Sequence, residues 1–408
     1  MIDRREKQKD IIELIAKLDI TPTMYKNAVE KYKALAQHLE GSGIKADIYP
    51  QGSFAIGTVV RPSVVDPNAY YDLDFICQLD VVKDSVAPSE LRQTIKNALI
   101  DSQIYKERLE FDENCFTITY ADVDDIGFKI DVVPAADESA VTKRQLQNMS
   151  VRPDLISTAI AIPRCTQEKN YLWITSNPRG IRTWFDEINR PFALFSREER
   201  RQTMFRENRS VFDSVEAIPE ALERSSLQRV IQILKRHRDV YYARLQRSDI
   251  EELKPISAII TVVVSQIAKS AAPQLGVFDL LEYTIRELSV YSERLKLNDD
   301  MFARTYGARS LINRENGKWK IRNPSNPEDN LADRWNTNKE APKFFFMWLN
   351  ACKQDLILSM SLSDSEFRRT MENAFGSASV QKVWADKYKL SADPAPRPII
   401  TTAKPYRA

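Results

Sequence analysis

Apolar residues at Ile11, Ile12, Leu14, Ile15 and Leu18 recur on a charged background, which predicts an amphipathic helix over residues 2–18. Thr21-Pro22 supplies a cap and a first-turn proline for a second helix to about Glu40, and Gly41-Ser42-Gly43 ends it. The period then shortens to two, and residues 45–50, 71–80, 115–121 and 126–133 read as strands. A helix from Pro88-Ser89-Glu90 to about Asp101 falls among them. In the last strand Phe128, Ile130 and Val132 share one face and Asp131 takes the other, with Pro134 expected to stop the strand. Residues 134–165 carry no regular pattern. Asn177-Pro178-Arg179-Gly180 reads as a turn before Trp184-Phe185, whose rings are expected in a core rather than stacked on a base. From Pro219 onward the pattern is helical, with helices near 219–246, 255–269, 277–295, 343–360 and 364–374. The sum is an α+β chain. A mixed-sheet lobe with N-terminal helices covers residues 1–215, a helical lobe 216–390, and a Pro-rich tail that reads as mobile 391–408.

Composition narrows the field. With 408 residues, 43% hydrophobic and 28% charged, the chain has ample material for a sizeable core and the balance of an ordinary globular protein. A formal charge of +2 argues against a long nucleic acid as partner, since such binders usually show a larger basic excess. Cys77, Cys115, Cys165 and Cys352 lie far apart, and with only His38 and His237 available there is no zinc-ligand spacing. No signal peptide and no membrane-spanning apolar run are read, so a cytoplasmic location is expected.

Candidate chemistry centres on Tyr49 to Asp80. Gly52 lets the backbone approach a ligand without Cβ interference, and Ser53 is placed to start a short helix with its amide and hydroxyl toward an anion. The spacing of Asp72 and Asp74 puts both carboxylates on one strand face, about 6.6 Å apart along the chain. Two like charges this close are unfavourable unless a cation bridges them, and magnesium is the natural one. Asp131 is the candidate third carboxylate. Asp122, Asp124 and Asp125 lie nearer in sequence but in a polar turn.

A Gly-Ser turn, a strand Asp-x-Asp and a later strand Asp resemble the signature of polymerase-β-like nucleotidyltransferases. The fuller pattern resembles the bacterial cGAS/DncV-like enzymes (CD-NTases), which make cyclic oligonucleotide messengers in anti-phage CBASS systems. It consists of Gln51-Gly52-Ser53-Phe54 with Gly57-Thr58, Tyr71-Asp72-Leu73-Asp74 and Lys129-Ile130-Asp131-Val132-Val133-Pro134. Leu234-Lys235-Arg236-His237-Arg238 and the segment Asn323 to Asn330 complete it, so that the resemblance spans about residues 20 to 380. The interval from Ser53 to Asp72 is longer than in the wider superfamily. The resemblance implies a two-lobed fold braced by an N-terminal helix, and two Mg²⁺ ions, replaceable by Mn²⁺, on Asp72, Asp74 and Asp131. It implies phosphate contacts from Gln51, Gly52, Ser53, Lys235 and Ser257. Read from the residues alone, Lys235 is equally a solvated lysine and Ser257 a capping serine. Asn323 to Asn330 is expected to pack near the back of the cleft. NTP substrates follow, ATP or GTP ahead of the pyrimidines, and a downstream effector activated by the cyclic product. A ubiquitin-transfer-like partner would act on the C-terminal tail. Two other readings remain: a linear-chain nucleotidyltransferase of polyadenylating or oligoadenylate type, and a catalytically dead nucleotide-binding regulator.

Overall fold

The computed structural model describes residues 2–60, 70–123, 126–166, 170–207, 223–292, 301, 304 and 310–388. The two N-terminal helices form as the periodicity predicts, α1 (Arg4–Ala16) and α2 (Pro22–Gly41), the latter capped by Thr21 Oγ1, which accepts the Met24 amide at 3.2 Å. The sheet lobe follows with β1 (Ala46–Pro50), α3 (Gly52–Ala55), β2 (Tyr70–Val82), α4 (Pro88–Asp101) and α5 (Gln103–Lys106). Next come β3 (Leu109–Phe111), β4 (Phe116–Val123), β5 (Ile126–Asp137), α6 (Ala140–Asn148), α7 (Pro153–Ile156), β6 (Ile160–Cys165) and β7 (Tyr171–Ser176). The remainder is helical: α8 (Pro178–Glu207), α9 (Ser226–Ala243), α10 (Ile250–Leu253), α11 (Ser257–Ala268) and α12 (Val277–Ser289). Two small hairpins, β8 (Asn313–Glu315) with β9 (Lys318–Lys320) and β10 (Arg322–Asn323) with β11 (Asn326–Asn330), precede the last helices. These are α13 (Asp333–Thr337), α14 (Ala341–Cys352), α15 (Asp364–Phe375) and α16 (Ser377–Trp384).

The seven-stranded sheet runs β1-β2-β5-β4-β3, with β6 joining the far end of β5 and β7 pairing β6. β2 and β5 are parallel and the other pairs antiparallel, so the sheet is mixed. One face is covered by α2 and α4: Met24, Leu35, Leu39, Ile95 and Leu99 pack with Leu73, Phe75, Ile130 and Val132 in a closed core. A second, larger core fills the helical part and takes in Ile11, Leu14 and Ile15 of α1 together with Trp184 and Phe185 of α8. The N-terminal helices therefore divide between the cores. The change falls between Leu18, in the helical core, and Ile20, in the sheet core.

Several expectations are corrected. Pro134 does not stop β5, which continues to Asp137. Antiparallel pairing with β4 ends at Val132–Phe116 and pairing with β6 begins at Ala136–Ala161, so the proline, lacking an amide proton, sits between two partners. Residues 134–165 are ordered as the end of β5, α6, α7 and β6. Asn177-Pro178-Arg179-Gly180 opens the 30-residue α8 instead of a turn, because Asn177 Oδ1 accepts the Gly180 amide at 2.9 Å and Pro178 takes the first position. Gly180 has a steric reason: a Cβ there would stand 2.5 Å from the Asn177 side chain. The helix expected over 343–360 keeps α geometry only to Cys352, then widens to a π turn at Lys353–Ile357. Trp184 and Phe185 are core residues, as expected. The 215/216 lobe boundary and the tail 391–408, with its conjugation partner, lie outside the described residues. Among the described residues no helix is long and apolar enough to cross a membrane.

Candidate active site

The site begins where β1 ends. The Gln51 amide donates to the Asp74 carbonyl at 2.8 Å, tying the turn to β2. Gly52 then adopts φ +60°, and a Cβ on it would stand 2.6 Å from Asp74 Oδ2. Both the left-handed backbone and the close approach require glycine. α3 starts at Gly52, with Gln51 at the cap position and no side-chain cap bond, so Ser53 is its second residue and does not cap it. The Ser53 carbonyl accepts the Thr58 amide at 2.9 Å, which folds the following loop back on the turn.

The parallel register of β2 and β5 places Asp74 directly beside Asp131. Neighbouring strands lie about 4.8 Å apart, so two half-buried carboxylates meet on the face opposite Leu73, Phe75, Ile130 and Val132. One step further along the same face, Ile76 and Val133 are buried with Tyr49, Ala135 and Ile160, giving the carboxylates an apolar neighbour on that side. Asp131 Oδ1 accepts a 2.6 Å hydrogen bond from Thr117 Oγ1, whose residue stands opposite it on β4. Burial raises the Asp131 pKa above its ordinary 3.8. The Thr117 bond opposes the shift, Asp112 reinforces it, Lys129 opposes it and Glu110 reinforces it. Asp72 stands on β2 two residues before Asp74, opposite Lys129. Asp122 ends up in β4, while Asp124 and Asp125 lie outside the described residues. Among the residues whose side chains are described, no group of three His, Cys, Asp or Glu that could hold a metal ion is present. The donor set is nonetheless all oxygen, which suits Mg²⁺ or Mn²⁺ and disfavours soft metals. Thr117 holds one oxygen of Asp131, and the missing Cβ of Gly52 lets the turn come close to Asp74 Oδ2.

From the helical lobe, Lys235 on α9 is 6% exposed and its Nζ donates to the Thr58 carbonyl at 3.0 Å. The fold therefore brings Lys235 to the loop that leaves Ser53. Ser257 is the first residue of α11, whose cap position is Ile256 without a side-chain bond, so Ser257 is no capping serine. Its Oγ accepts from Arg238 Nη1 at 3.0 Å, and the same nitrogen donates to the Pro255 carbonyl at 3.0 Å. Asn323 to Asn330 packs against the junction of β7 and α8, Ser325 Oγ donating to the Asn177 carbonyl at 3.3 Å and Asn326 Nδ2 to that of Thr175 at 3.4 Å. Sequence reasoning missed Thr117, Gln228 and Gln232. The alternation of β4 carries the signal for Thr117, and the spacing of Gln228 and Gln232 before Lys235 marks one helix face.

Residues 46–134 match the family described as cyclic GMP-AMP synthase DncV-like, nucleotidyltransferase domain. Over this segment the chain is similar to the DncV-like nucleotidyltransferase domain. The matched segment runs from the start of β1 to the middle of β5 and so holds the Gly-Ser turn and all three aspartates. A c-di-GMP synthase of Roseivirga ehrenbergii is 24% identical over 337 residues, 81% of this chain and 74% of that protein. The CD-NTase CdnG of Bradyrhizobium diazoefficiens, solved in complex with GTP, superposes with a TM-score of 0.62 at 19% identity, covering 93% of this chain and 98% of CdnG. CdnC of E. coli MS115-1, solved with ATP, gives 0.58 at 14% identity, over 92% and 98% of the two chains. Beyond the DncV-like domain itself, then, the CD-NTase fold extends through the helical lobe.

Proposed function

We propose that this chain is a cyclic oligonucleotide synthase, joining NTPs by nucleotidyl transfer with release of pyrophosphate. The observation that carries the reading is the parallel register that sets Asp74 beside Asp131 beneath the Gly52 turn, inside the DncV-like domain. Asp72, Asp74 and Asp131 would hold two divalent cations, which supply charge neutralisation on the triphosphate and a lowered pKa for the attacking ribose hydroxyl. Thr117, bonded to one oxygen of Asp131, would hold that carboxylate in place for the cations. Gln51 and Gly52 bring backbone close to the phosphates, and Ser53 offers them a hydroxyl. Lys235, already at the Thr58 carbonyl, reaches the leaving pyrophosphate and stabilises the charge that develops on it. Ser257, held by Arg238, supports the same end of the triphosphate. In the first round a ribose hydroxyl attacks an α-phosphate; in the second the linear product reorients and its free hydroxyl closes the ring. A cyclic product implies an effector that binds it, and an anti-phage role accords with this chemistry. ATP and GTP are the substrates to test first, since the similar CdnG and CdnC were solved with GTP and ATP.

Incubation of the purified chain with four labelled NTPs and Mg²⁺ or Mn²⁺, followed by phosphatase and mass spectrometry, tests the reading. Phosphatase-resistant cyclic product, absent from Asp131→Asn, is the expected result. Linear oligomers would make it a chain-extending nucleotidyltransferase, and no product with any NTP would leave a nucleotide-binding regulator.

A further inference from the structure

The loop after α3 turns the carbonyls of Ile56, Thr58 and Val59 to the helical lobe, and α9 meets each with a side chain. Gln228, Gln232 and Lys235 lie at i, i+4 and i+7 and so share one helix face. Gln228 Nε2 donates to the Ile56 carbonyl at 2.9 Å, Gln232 Nε2 to that of Val59 at 2.8 Å and Lys235 Nζ to that of Thr58 at 3.0 Å. The held loop is bonded in turn to the Gly-Ser turn, Thr58 N to Ser53 O at 2.9 Å and Ile56 N to Gly52 O at 3.3 Å.

Neither glutamine amide is free to flip. Gln228 Oε1 accepts the Ser225 amide at 2.9 Å and so closes the capping box of α9. Gln232 Oε1 accepts from Arg229 Nη1 at 3.0 Å, and its Nε2 also donates to Asp19 Oδ1 at 2.8 Å. Arg229 reaches the same Asp19 at 2.7 Å, so the loop, α9 and the α1–α2 connection close into one network. Gly57 shows independently how near α9 comes. Its φ is +67°, and a Cβ there would stand 2.5 Å from Gln228 Nε2. Gly57 and Thr58 are motif residues that the carboxylate chemistry leaves unused.

We propose that Gln228 and Gln232 are positioning residues for nucleotidyl transfer: together with Lys235 they hold residues 56–59 so that the Gly52-Ser53 turn is set to receive an NTP phosphate. The proposal rests on the nucleotidyltransferase reading above. Its physical logic is a division of labour along one helix face. Lys235 carries charge and exchanges the Thr58 carbonyl for a phosphate when the nucleotide enters. The glutamines are neutral donors that gain less from such an exchange than a charged lysine does, and their second bonds to Ser225 and Asp19 keep the loop in place while Lys235 moves.

Gln228→Met and Gln232→Met keep side-chain length and remove the donor, and Gln228→Glu sets a carboxylate against the Ile56 carbonyl. Hydrogen exchange of residues 52–59, equilibrium binding of ATP and GTP, and steady-state kinetics read the effect. Exchange at 52–59 should quicken while β2 and β5 keep their protection. Affinity should fall about tenfold for one lost buried hydrogen bond, with KM raised more than kcat is lowered, and Gln228→Glu should be worse than Gln228→Met. Should buried Gln232→Met fail to fold, the half-buried Gln228 variants carry the test. Unchanged exchange and unchanged affinity in folded Gln228→Met overturn the proposal while the functional reading stands. A wild-type chain that binds neither ATP nor GTP overturns the functional reading itself.

Discussion

At the residue scale the site depends on how one carboxylate is held. Asp131 sits beside Asp74 with an apolar neighbour to one side, and burial works against its charge. A carboxyl whose folded pKa lies above its unfolded value holds its proton more tightly in the native state. The metal-free protein should therefore lose stability as pH rises from the ordinary carboxylate value of 3.8 through the raised one. Asp131→Asn should flatten that part of a urea-unfolding profile while abolishing product. A steeper or unchanged profile in Asp131→Asn would mean that burial is not what sets this group. Thr117→Val keeps the shape of the neighbour but removes the 2.6 Å bond. It should weaken Mn²⁺ binding to the nucleotide-free protein and lower activity, and Thr117→Ser should restore both. Equal Mn²⁺ affinity in all three proteins would remove Thr117 from the site.

At the element scale, much of this chain was legible because period and burial agree. α1, α2, β1, β2, β4, α4, α11 and α12 follow the periodicity read from the sequence, and Thr21 caps α2 as read. Local chemistry failed where a distant partner decides the outcome. Pro134 passes through the sheet because β4 and β6 leave a gap beside it, whereas Asn177 is a local cap, accepting the Gly180 amide three residues on, that reads equally as a turn. α8 then runs past Pro191, which sequence rules would treat as a break. The end of β5 supplies a test of such nonlocal holding. Glu138 is 1% exposed and bonded to Lys83 at 2.5 Å, to the Ser139 amide at 2.7 Å and to Thr175 Oγ1 at 2.8 Å. Burial pushes its pKa up, but these bonds outweigh it and hold the group below its ordinary 4.5. The stability it contributes is thus complete above that value and lost as pH falls through the lowered one. Glu138→Gln should show a shallower acid limb than wild type in unfolding from about pH 5 down to pH 2. An acid limb identical to wild type would mean that the Lys83–Glu138 pair does not titrate with folding.

At the scale of the whole molecule, two cores share one pair of N-terminal helices. α2 belongs to the sheet and α1 to the helical part, where the start of the chain closes on residues from its other end. Lys7, fully buried, donates to the Leu362 carbonyl at 2.7 Å and the Met360 carbonyl at 3.3 Å. The Ile2 amide reaches Asp364 at 3.0 Å, and Trp384 Nε1 reaches the Asp10 carbonyl at 3.3 Å. No local pattern announces contacts across more than 350 positions, so the periodicity gave α1 its apolar stripe but not its partner. A polar network spans the cores, with Asp19 between the helices, Arg229 and Gln232 on α9, and the Val59 carbonyl, beside apolar contacts such as Ile56 in the helical core. Truncating Leu14, which is fully buried in the helical core, should cost about 2–5 kcal/mol. If polar bonds are the main link, the damage stays largely on one side. Hydrogen exchange in Leu14→Ala should quicken through α9, α15 and α16 by factors near the global loss, while β2, β4 and α4 keep most of their protection. Equal loss of protection in both cores would show that the Asp19–Arg229–Gln232 junction makes the chain unfold as a single cooperative unit.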